Sequence, residues 1–159
     1  MFANSAAVLI GILDNQIILT KRSTELRSFT GQVCLPGGKF DQTDSSIVAT
    51  AIREFHEEVY FTGNIEPLFC MLPETSVVFK QAVYPVVASL DGVISGFNQA
   101  EVAKLFSISL DELNLTRFST NPDYPNIKHN QCFWHDGELV WGLTAHILYN
   151  FIANIKFHF

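Results

Sequence analysis

A glycine turn followed at a set distance by a carboxylate-rich segment constrains this chain more than any other feature. The turn Leu35-Pro36-Gly37-Gly38 ends fifteen residues before the segment Arg53-Glu54-Phe55-His56-Glu57-Glu58. Glycine lets the backbone approach a ligand closely, because no Cβ intervenes. Within the segment, Glu54, Glu57 and Glu58 are spaced i, i+3 and i+4, so a helix would crowd three mutually repelling carboxylates on one turn. A divalent cation would relieve that repulsion, and oxygen ligands favour Mg²⁺ or Mn²⁺.

Helical periodicity predicts that two of these carboxylates lie beside the apolar face of the helix. With Ile47 set at zero and about 100° per residue, the apolar side chains fan from about 0° to about 140°. Glu58 falls at about 20° and Glu54 at about −20°, whereas Glu57 lies farther out at about −80°. Unpaired charge at the border of an apolar face is costly, so we expect a metal ion there with Arg53 as a supporting partner. A solvated acidic face is the alternative for the glutamates alone, and the glycine turn disfavours it.

The residues from Gly38 to Phe61 resemble the Nudix box, the loop-helix signature of hydrolases that cleave nucleoside diphosphates linked to another moiety. The Arg-Glu-x-x-Glu-Glu core of the box is intact. Two positions depart from the pattern. The loop is one residue longer, with Asp44 and Ser45 where the first Glu is expected, and Tyr60 replaces the Gly that follows the Glu pair. We expect Gly63 to take over from that Gly as the left-handed helix cap.

A second signature is similar to that of the coenzyme A diphosphatase subgroup of the Nudix family. The loop from Gly37 to Asp44 reads Gly-Gly-Lys-x-Asp-x-x-Asp, as in that subgroup. The subgroup's upstream signature, Leu-Leu-Thr-x-Arg-Ser-x-x-x-Arg-x-x-x-Gly-x-x-x-Phe-Pro-Gly-Gly, is matched by residues 18–38. Only two positions differ, Ile18 for Leu and Leu35 for Phe, and both remain apolar. This resemblance implies hydrolysis of the pyrophosphate bond of coenzyme A or acyl-CoA, which gives 3′,5′-ADP and (acyl-)4′-phosphopantetheine. It also implies an α/β fold, the Nudix α/β/α sandwich with a mixed β-sheet between helices.

The resemblance and the residue chemistry together give a set of candidate site residues. Glu54, Glu57 and Glu58 are expected to hold Mg²⁺ or Mn²⁺. Glu57 and Glu101 are the candidates for the residue that orients or deprotonates the attacking water, and the sequence does not choose between them. Arg53 and Asp44 are expected to position the metal ligands without contacting the metal ion themselves. The predicted substrate-binding residues are Lys21, Arg22, Arg27, Gly37, Gly38 and Lys39.

Charge composition supports a small, multiply anionic substrate. The net charge of −6 disfavours nonspecific nucleic-acid binding. Four of the ten Lys and Arg residues nevertheless fall between Lys21 and Lys39. The alternative is that Lys21 and Arg22 only solvate the end of a hairpin strand. Three other functions stay open: a Nudix hydrolase of ADP-ribose or NADH, a nucleotide-binding module without turnover, and, least favoured, an mRNA-decapping type of activity.

The remaining patterns predict one domain over residues 1–159, without repeats, linkers, membrane segments or nucleic-acid contacts, as a monomer or homodimer. The three cysteines are interpreted as reduced packing residues. The C-terminus is not a Ser-Lys-Leu address, which favours the cytoplasm, with the peroxisome expected only if the C-terminus is truncated. The predicted elements are a hairpin of Ala7–Leu13 and Gln16–Lys21, a strand Gly31–Leu35, a helix capped by Asp44 or Thr43 and running to Val59, strands Ile65–Leu72, Ser76–Ala88 (edge or bulged at Pro85) and Phe106–Ser109, a helical turn Asp111–Leu115, a hairpin of Gln131–Trp134 and Glu138–Trp141, and a helix from Thr144 to Ile155.

Overall fold

A computed structural model of the chain describes residues 2–26, 31–76, 80–123 and 130–155. Within these ranges, helices α1 (Ile47–Glu58) and α2 (Gly142–Ile155) accompany eleven strands and one 3₁₀ turn, Leu115–Arg117. The strands are β1 (Ser5–Leu13), β2 (Gln16–Arg22), β3 (Val33–Cys34), β4 (Gly37–Lys39), β5 (Val59–Cys70), β6 (Glu74–Thr75), β7 (Ala82–Phe97), β8 (Val102–Ser109), β9 (Ser119–Thr120), β10 (Gln131–His135) and β11 (Glu138–Val140).

The first hairpin opens to receive the glycine-bearing segment between its strands. Asp14 and Asn15 both take positive φ angles, 51° and 64°, in the two-residue turn that joins β1 to β2. Away from this turn the two strands separate. There β3 pairs with β2 and β4 pairs antiparallel with β1, in the register Val8↔Gly37. The glycines therefore lie in a short strand inside the sheet, where the sequence predicts only a turn.

The main sheet is mixed, as predicted. Its strand order is β3-β2-β1-β7-β5, with β8 pairing with β2, β4 with β1 and β6 with β7. Strands β1 and β7 run parallel from Ser5↔Ala82 to Leu13↔Leu90, whereas the other pairs are antiparallel. A separate three-stranded sheet has the order β11-β10-β9.

Two apolar cores lie on opposite faces of the main sheet, because successive side chains of a strand point to opposite sides. In β1, both Leu9 and Ile10 are fully buried, and they belong to different cores. Leu9 packs in the core that contains Phe55 of α1, and Ile10 in the core that contains Phe151 of α2. This arrangement confirms the predicted α/β/α sandwich. That residues 1–159 form one domain stays a prediction.

Helix α1 ends as predicted, with Val59 as its C-cap, but the predicted capping residues are wrong at both ends. Ser46, not Thr43 or Asp44, is the N-cap, and its Oγ accepts a hydrogen bond from the Ala49 N–H at 3.0 Å. At the other end, the chain passes from Glu58 directly into the extended backbone of β5. Gly63 is a residue of β5 with φ 150°, not a helix cap. An added Cβ there would lie 2.2 Å from the carbonyl oxygen of Asp91 on β7, so the close strand approach is what requires glycine.

Pro85 lies in an internal strand, not at an edge. Its strand, β7, pairs with β1 on one side and with β5 and β6 on the other. Pro85 falls where the second partner changes, between the pairs Cys70↔Val86 and Glu74↔Val83. A residue without an N–H is tolerated at this gap in the ladder.

The other predicted elements are present with shifted ends. Strand β5 begins at Val59 and not at Ile65, and β8 begins four residues before Phe106. The helical turn expected at Asp111–Leu115 is the 3₁₀ turn at Leu115–Arg117. The second hairpin is as predicted, with positive φ at Asp136 and Gly137, and α2 begins two residues before Thr144. Residues 77–79 of the predicted strand Ser76–Ala88 lie outside the described residues.

Candidate active site

Helix α1 places its three glutamates at three depths, in the order that the periodicity predicts. Glu58 is 6% exposed, and the side chains of Glu54 and Glu57 are 17% and 50% exposed. The buried residues of α1 are Ile47, Thr50, Ala51, Phe55 and Glu58, so one carboxylate is part of the packed face. Burying a carboxylate in this way costs free energy unless a partner compensates it.

Both glycines of β4 lie against these carboxylates, one through its backbone N–H and the other through the space that its missing Cβ leaves. The Gly37 N–H donates a hydrogen bond of 2.8 Å to Oε2 of Glu58. An added Cβ at Gly38 would lie 2.5 Å from Cδ of Glu54. A side chain at Gly38 would therefore push α1 away from β4. At Gly37 an added Cβ would instead lie 2.2 Å from the carbonyl oxygen of Ala7, so this glycine allows β4 to approach β1.

Arg53 links the preceding loop to the exposed side of the carboxylate cluster. Its Nε and Nη2 donate to the two carboxylate oxygens of Asp44 at 2.8 and 3.0 Å, a bidentate pair. Its Nη1 donates to Glu54 at 2.9 Å and to Glu57 at 3.1 Å. The hydrogen bonds from Arg53 to Asp44 are the main reason that the pKa of Asp44 lies well below its usual range. The loop also covers Thr50, whose Oγ1 donates to Asp44 at 2.8 Å.

The turn between β7 and β8 brings a fourth carboxylate, Glu101, to the cluster. Asn98 opens this turn, and its N–H donates to the carbonyl oxygen of Glu58 at 2.9 Å. Its side-chain amide donates to the carbonyl oxygen of Glu57 at 3.3 Å and contacts Oε2 of Glu101 at 3.5 Å. Sequence reasoning missed Asn98. The signal in the sequence is an Asn at the start of a turn, where its side chain commonly accepts a hydrogen bond from the backbone N–H two residues later. Here that N–H belongs to Ala100.

Burial and mutual repulsion make this cluster electrostatically unfavourable. Burial is the largest cause that raises the pKa of Glu58 to about 8, and the negative charges of Glu54 and Glu101 add to it. The Gly37 N–H and the Arg22 guanidinium oppose that rise only in part. Burial likewise raises the pKa of Glu54, and the hydrogen bond from Arg53 counteracts it.

The chemistry of this donor set fits a hard divalent cation, because its oxygens are concentrated, poorly solvated and mutually repelling. Across the described ranges, however, no group of three or more His, Cys, Asp or Glu side chains is arranged to hold a metal ion. Glu54 and Glu57 instead accept hydrogen bonds from Nη1 of Arg53. Arg53 contacts only Oε1 of each, so a cation would bind these two carboxylates beside Arg53.

Comparison with known proteins identifies the family. A model of the NUDIX domain matches residues 3–130. The chain belongs to the Nudix family. It is 38% identical over 163 residues to NudL of Pectobacterium atrosepticum, covering 95% of this chain and 82% of that protein. It is 37% identical over 150 residues to NudL of Yersinia pestis, covering 90% and 75%. Both relatives are described as uncharacterized Nudix hydrolases, so their names give no substrate.

A solved structure extends the likeness to nearly the whole chain. The Nudix hydrolase RenU from M. smegmatis superposes with a TM-score of 0.62 at 12% identity, over 98% of this chain and 87% of that chain. At this identity the likeness shows the Nudix fold alone. Neither helix in the described part of the chain is both long and apolar enough to cross a membrane.

The predicted substrate-binding cations are not all in one place. Arg22 lies close enough to Glu58 for its charge to lower the pKa of that carboxyl. Lys21 is paired instead with Glu138 of β11, with 3.0 Å between Nζ and Oε1. Lys39 is exposed, and its carbonyl oxygen accepts from Nη2 of Arg53 at 3.1 Å. Arg27 lies outside the described residues.

The cysteines differ from one another in their surroundings. Cys34 is the cysteine nearest the Nudix box glycines, and burial raises the pKa of its thiol to about 12. A thiol with that pKa is protonated at neutral pH and is a poor nucleophile. All three cysteines are free, Cys132 is buried as predicted, and Cys70 is exposed, contrary to the prediction of a packing residue.

Proposed function

We propose that this Nudix hydrolase uses Mg²⁺ or Mn²⁺ to cleave the pyrophosphate bond of coenzyme A or acyl-CoA, which gives 3′,5′-ADP and (acyl-)4′-phosphopantetheine. The observation that carries the proposal is the convergence of the α1 glutamates and Glu101 on the glycine strand, with Arg22 beside them. Arg22 belongs to the upstream signature, between Ile18 and Gly38, that resembles the coenzyme A subgroup.

Glu54, Glu57 and Glu58 would hold the metal ion, since their oxygens form the concentrated donor set described above. When bound, a divalent ion screens the diphosphate oxygens and lowers the pKa of a water molecule. Arg53 holds Glu54 and Glu57 in fixed orientations from the side of Asp44, so the carboxylates are preorganised.

Two carboxylates are candidates to accept the proton of the attacking water. Glu57 is half exposed and lies at the outer side of the cluster, whereas Glu101 approaches from the turn after β7. Both side chains can reach solvent, as a general base for water requires. Glu58 is less suited to this role, because it is buried against β4 and accepts the Gly37 N–H.

The cationic side of the site supports the proposed substrate. Coenzyme A carries a 3′-phosphate in addition to its diphosphate, and a guanidinium binds a phosphate with two parallel hydrogen bonds. Arg22 lies at the border of the carboxylate cluster, and Arg27 follows it in the signature. Gly37 and Gly38 support this arrangement indirectly, because the missing Cβ atoms let Glu54 and β1 approach β4 closely.

The test is to incubate the purified chain separately with coenzyme A, ADP-ribose and NADH, each with Mg²⁺ or Mn²⁺, and to separate the products by chromatography. We expect metal-dependent release of 3′,5′-ADP from coenzyme A. Glu57→Gln should lower the rate by about 10²- to 10⁴-fold, the usual contribution of a general base or metal ligand. Glu66→Gln, on the exposed part of β5, is the matched control and should leave the rate unchanged.

Each other result contradicts a defined part of the proposal. Turnover of ADP-ribose or NADH without turnover of coenzyme A would discard the substrate and keep the chemistry. Binding of coenzyme A without any product would favour a nucleotide-binding module. A rate that falls equally in Glu57→Gln and Glu66→Gln would remove Glu57 from the catalytic machinery.

A further inference from the structure

One side chain, Asn98, connects the end of the carboxylate-bearing helix to the turn that presents Glu101. The last carbonyls of a helix lack partners within the helix. In α1, two of these carbonyls accept from Asn98: that of Glu58 from its N–H at 2.9 Å, and that of Glu57 from its Nδ2 at 3.3 Å. No glycine cap is needed, because the cap is supplied by a residue forty positions away in the chain.

The orientation of the Asn98 amide is fixed by a third contact. Its Oδ1 accepts a hydrogen bond of 3.1 Å from the Ala100 N–H, so Nδ2 must face the opposite way. Nδ2 carries two hydrogens, and its two neighbours there are the Glu57 carbonyl and Oε2 of Glu101, at 3.3 and 3.5 Å. The amide therefore lies between a backbone atom of α1 and the Glu101 carboxylate.

The backbone of the turn is held in the same way. The carbonyl oxygen of Asn98 accepts from the Glu101 N–H at 3.1 Å and from the Val102 N–H at 2.8 Å. The Glu101 carbonyl in turn accepts from the Ser23 N–H at 3.0 Å, next to Arg22. The position of Glu101 relative to α1 thus depends on Asn98 on one side and on the segment after β2 on the other.

We propose that Asn98 is a positioning residue, which holds the Glu101 carboxylate at a set distance from Glu54 and Glu58 of α1. The distance matters because carboxylates held close together repel one another, and a cation bound between them relieves that repulsion. This inference rests on the proposed function, since it assigns to Glu101 a part in the metal-dependent reaction.

A double-mutant cycle tests the inference with two measurements. Asn98→Ala, Glu101→Gln and the double variant are compared with the unmodified chain in kcat and KM for coenzyme A and in Mn²⁺ affinity, measured by electron paramagnetic resonance of free Mn²⁺. If Asn98 acts through Glu101, Asn98→Ala lowers kcat and Mn²⁺ affinity each by about tenfold, with KM little changed. In the Glu101→Gln background the same substitution changes both by less than about twofold.

Asn114→Ala is the matched control. Asn114 makes the same kind of turn, because its Oδ1 accepts from the Thr116 N–H at 3.1 Å and its Nδ2 donates to the Glu112 carbonyl at 3.3 Å. It lies at the 3₁₀ turn, away from α1 and Glu101. It should change neither kcat nor Mn²⁺ affinity in either background. Asn98→Ser keeps an oxygen that can accept from Ala100 but cannot reach Glu57, so it repeats the test if Asn98→Ala folds poorly.

The outcomes separate the inference from the function on which it rests. Equal losses from Asn98→Ala in both backgrounds would overturn the inference, because Asn98 would then act independently of Glu101. If the unmodified chain binds Mn²⁺ but does not hydrolyse coenzyme A, the substrate assignment fails. In that case the double-mutant cycle in Mn²⁺ affinity alone tests whether Asn98 acts through Glu101.

Discussion

The two helices pack on opposite faces of one sheet, and they bury different chemistry. The described buried side chains of α2 are all apolar: Ala145, Ile147, Leu148, Phe151 and Ile152. Helix α1 buries Phe55 in the same way, but one turn later it also buries the carboxylate of Glu58. A helix that only stabilises the fold gains nothing from a buried acid, because desolvation of the charge opposes folding. The difference indicates that the buried residues of α1 serve both the candidate site and packing, whereas those of α2 serve packing.

The polar contacts of the helices show the same division. On α2, His146 and Asn150 meet the two oxygens of Glu74 at 3.3 and 2.9 Å, on the flank of the helix. On α1, Arg53 and the glutamates are arranged around the face that meets β4. Polar groups of α2 therefore connect one side of the core to β6, whereas those of α1 converge at one point.

The largest expected effect is on stability, in α2. Phe151→Ala removes a buried aromatic ring from the core around Ile10 and should lower the free energy of unfolding by about 3–5 kcal/mol. Mn²⁺ affinity should be unchanged below the unfolding transition. Phe69→Ala, at a ring 45% exposed on β5, is the matched control and should cost less than half as much. Urea denaturation measures both variants. A loss of Mn²⁺ affinity in Phe151→Ala would show that the two faces are not separate in function.

The next effect is a pH dependence of stability, in α1. The pKa of Glu58 is raised from 4.5 to about 8 in the folded chain, mainly by burial. Between these two pH values the folded state binds more protons than the unfolded state, so stability falls as pH rises, by at most about 1.4 kcal/mol per pH unit. In the presence of a chelator, the free energy of unfolding should fall between roughly pH 5 and 8. Glu58→Gln should make the profile flatter and at pH 8 should be at least as stable as the unmodified chain.

The comparison also explains which features the sequence could predict. The depth order of Glu54, Glu57 and Glu58 follows from helical geometry alone, and the structure agrees with it. The two hairpin turns follow from local residue chemistry, since Asp14-Asn15 and Asp136-Gly137 favour positive φ. Each of these features depends only on residues that are close to one another in the sequence.

Three of the wrong predictions depend on contacts with residues elsewhere in the chain. Asp44 is a good N-cap residue by type, but its carboxylate is taken by Arg53, and Ser46 caps the helix instead. Gly63 is not needed as a C-cap, because Asn98 satisfies the last carbonyls of α1. Pro85 is tolerated in an internal strand because its partner strand changes there. Each outcome is set by a contact that no local pattern records.

A smaller effect on stability is expected from a change at Asp44, in the loop that precedes α1. Asp44→Asn removes the charge that faces the Arg53 guanidinium in the bidentate pair. Because Arg53 is about one-third exposed, we expect a loss of only about 1–2 kcal/mol in the free energy of unfolding at pH 7. The pKa of Asp44 is lowered in the folded chain, so its contribution is present above about pH 4 and is lost as pH falls further. Denaturation at pH 7 and pH 3 should show a difference between variant and parent that shrinks in acid. A difference that persists unchanged would mean that the charge of Asp44 is not what stabilises the loop.

The smallest expected effect separates the cations of the first hairpin. Lys21 is paired with Glu138 of β11, and ion pairs of this kind near the surface contribute under about 1 kcal/mol. Lys21→Ala should therefore change the free energy of unfolding by less than that amount and leave KM for coenzyme A unchanged, whereas Arg22→Ala should raise KM. Steady-state kinetics of the two variants, with the free energies of unfolding measured beside them, compares the neighbouring positions directly. An equal rise in KM would mean that Lys21 leaves Glu138 to contact substrate, and the cationic side of the site would then extend along β2 to β11.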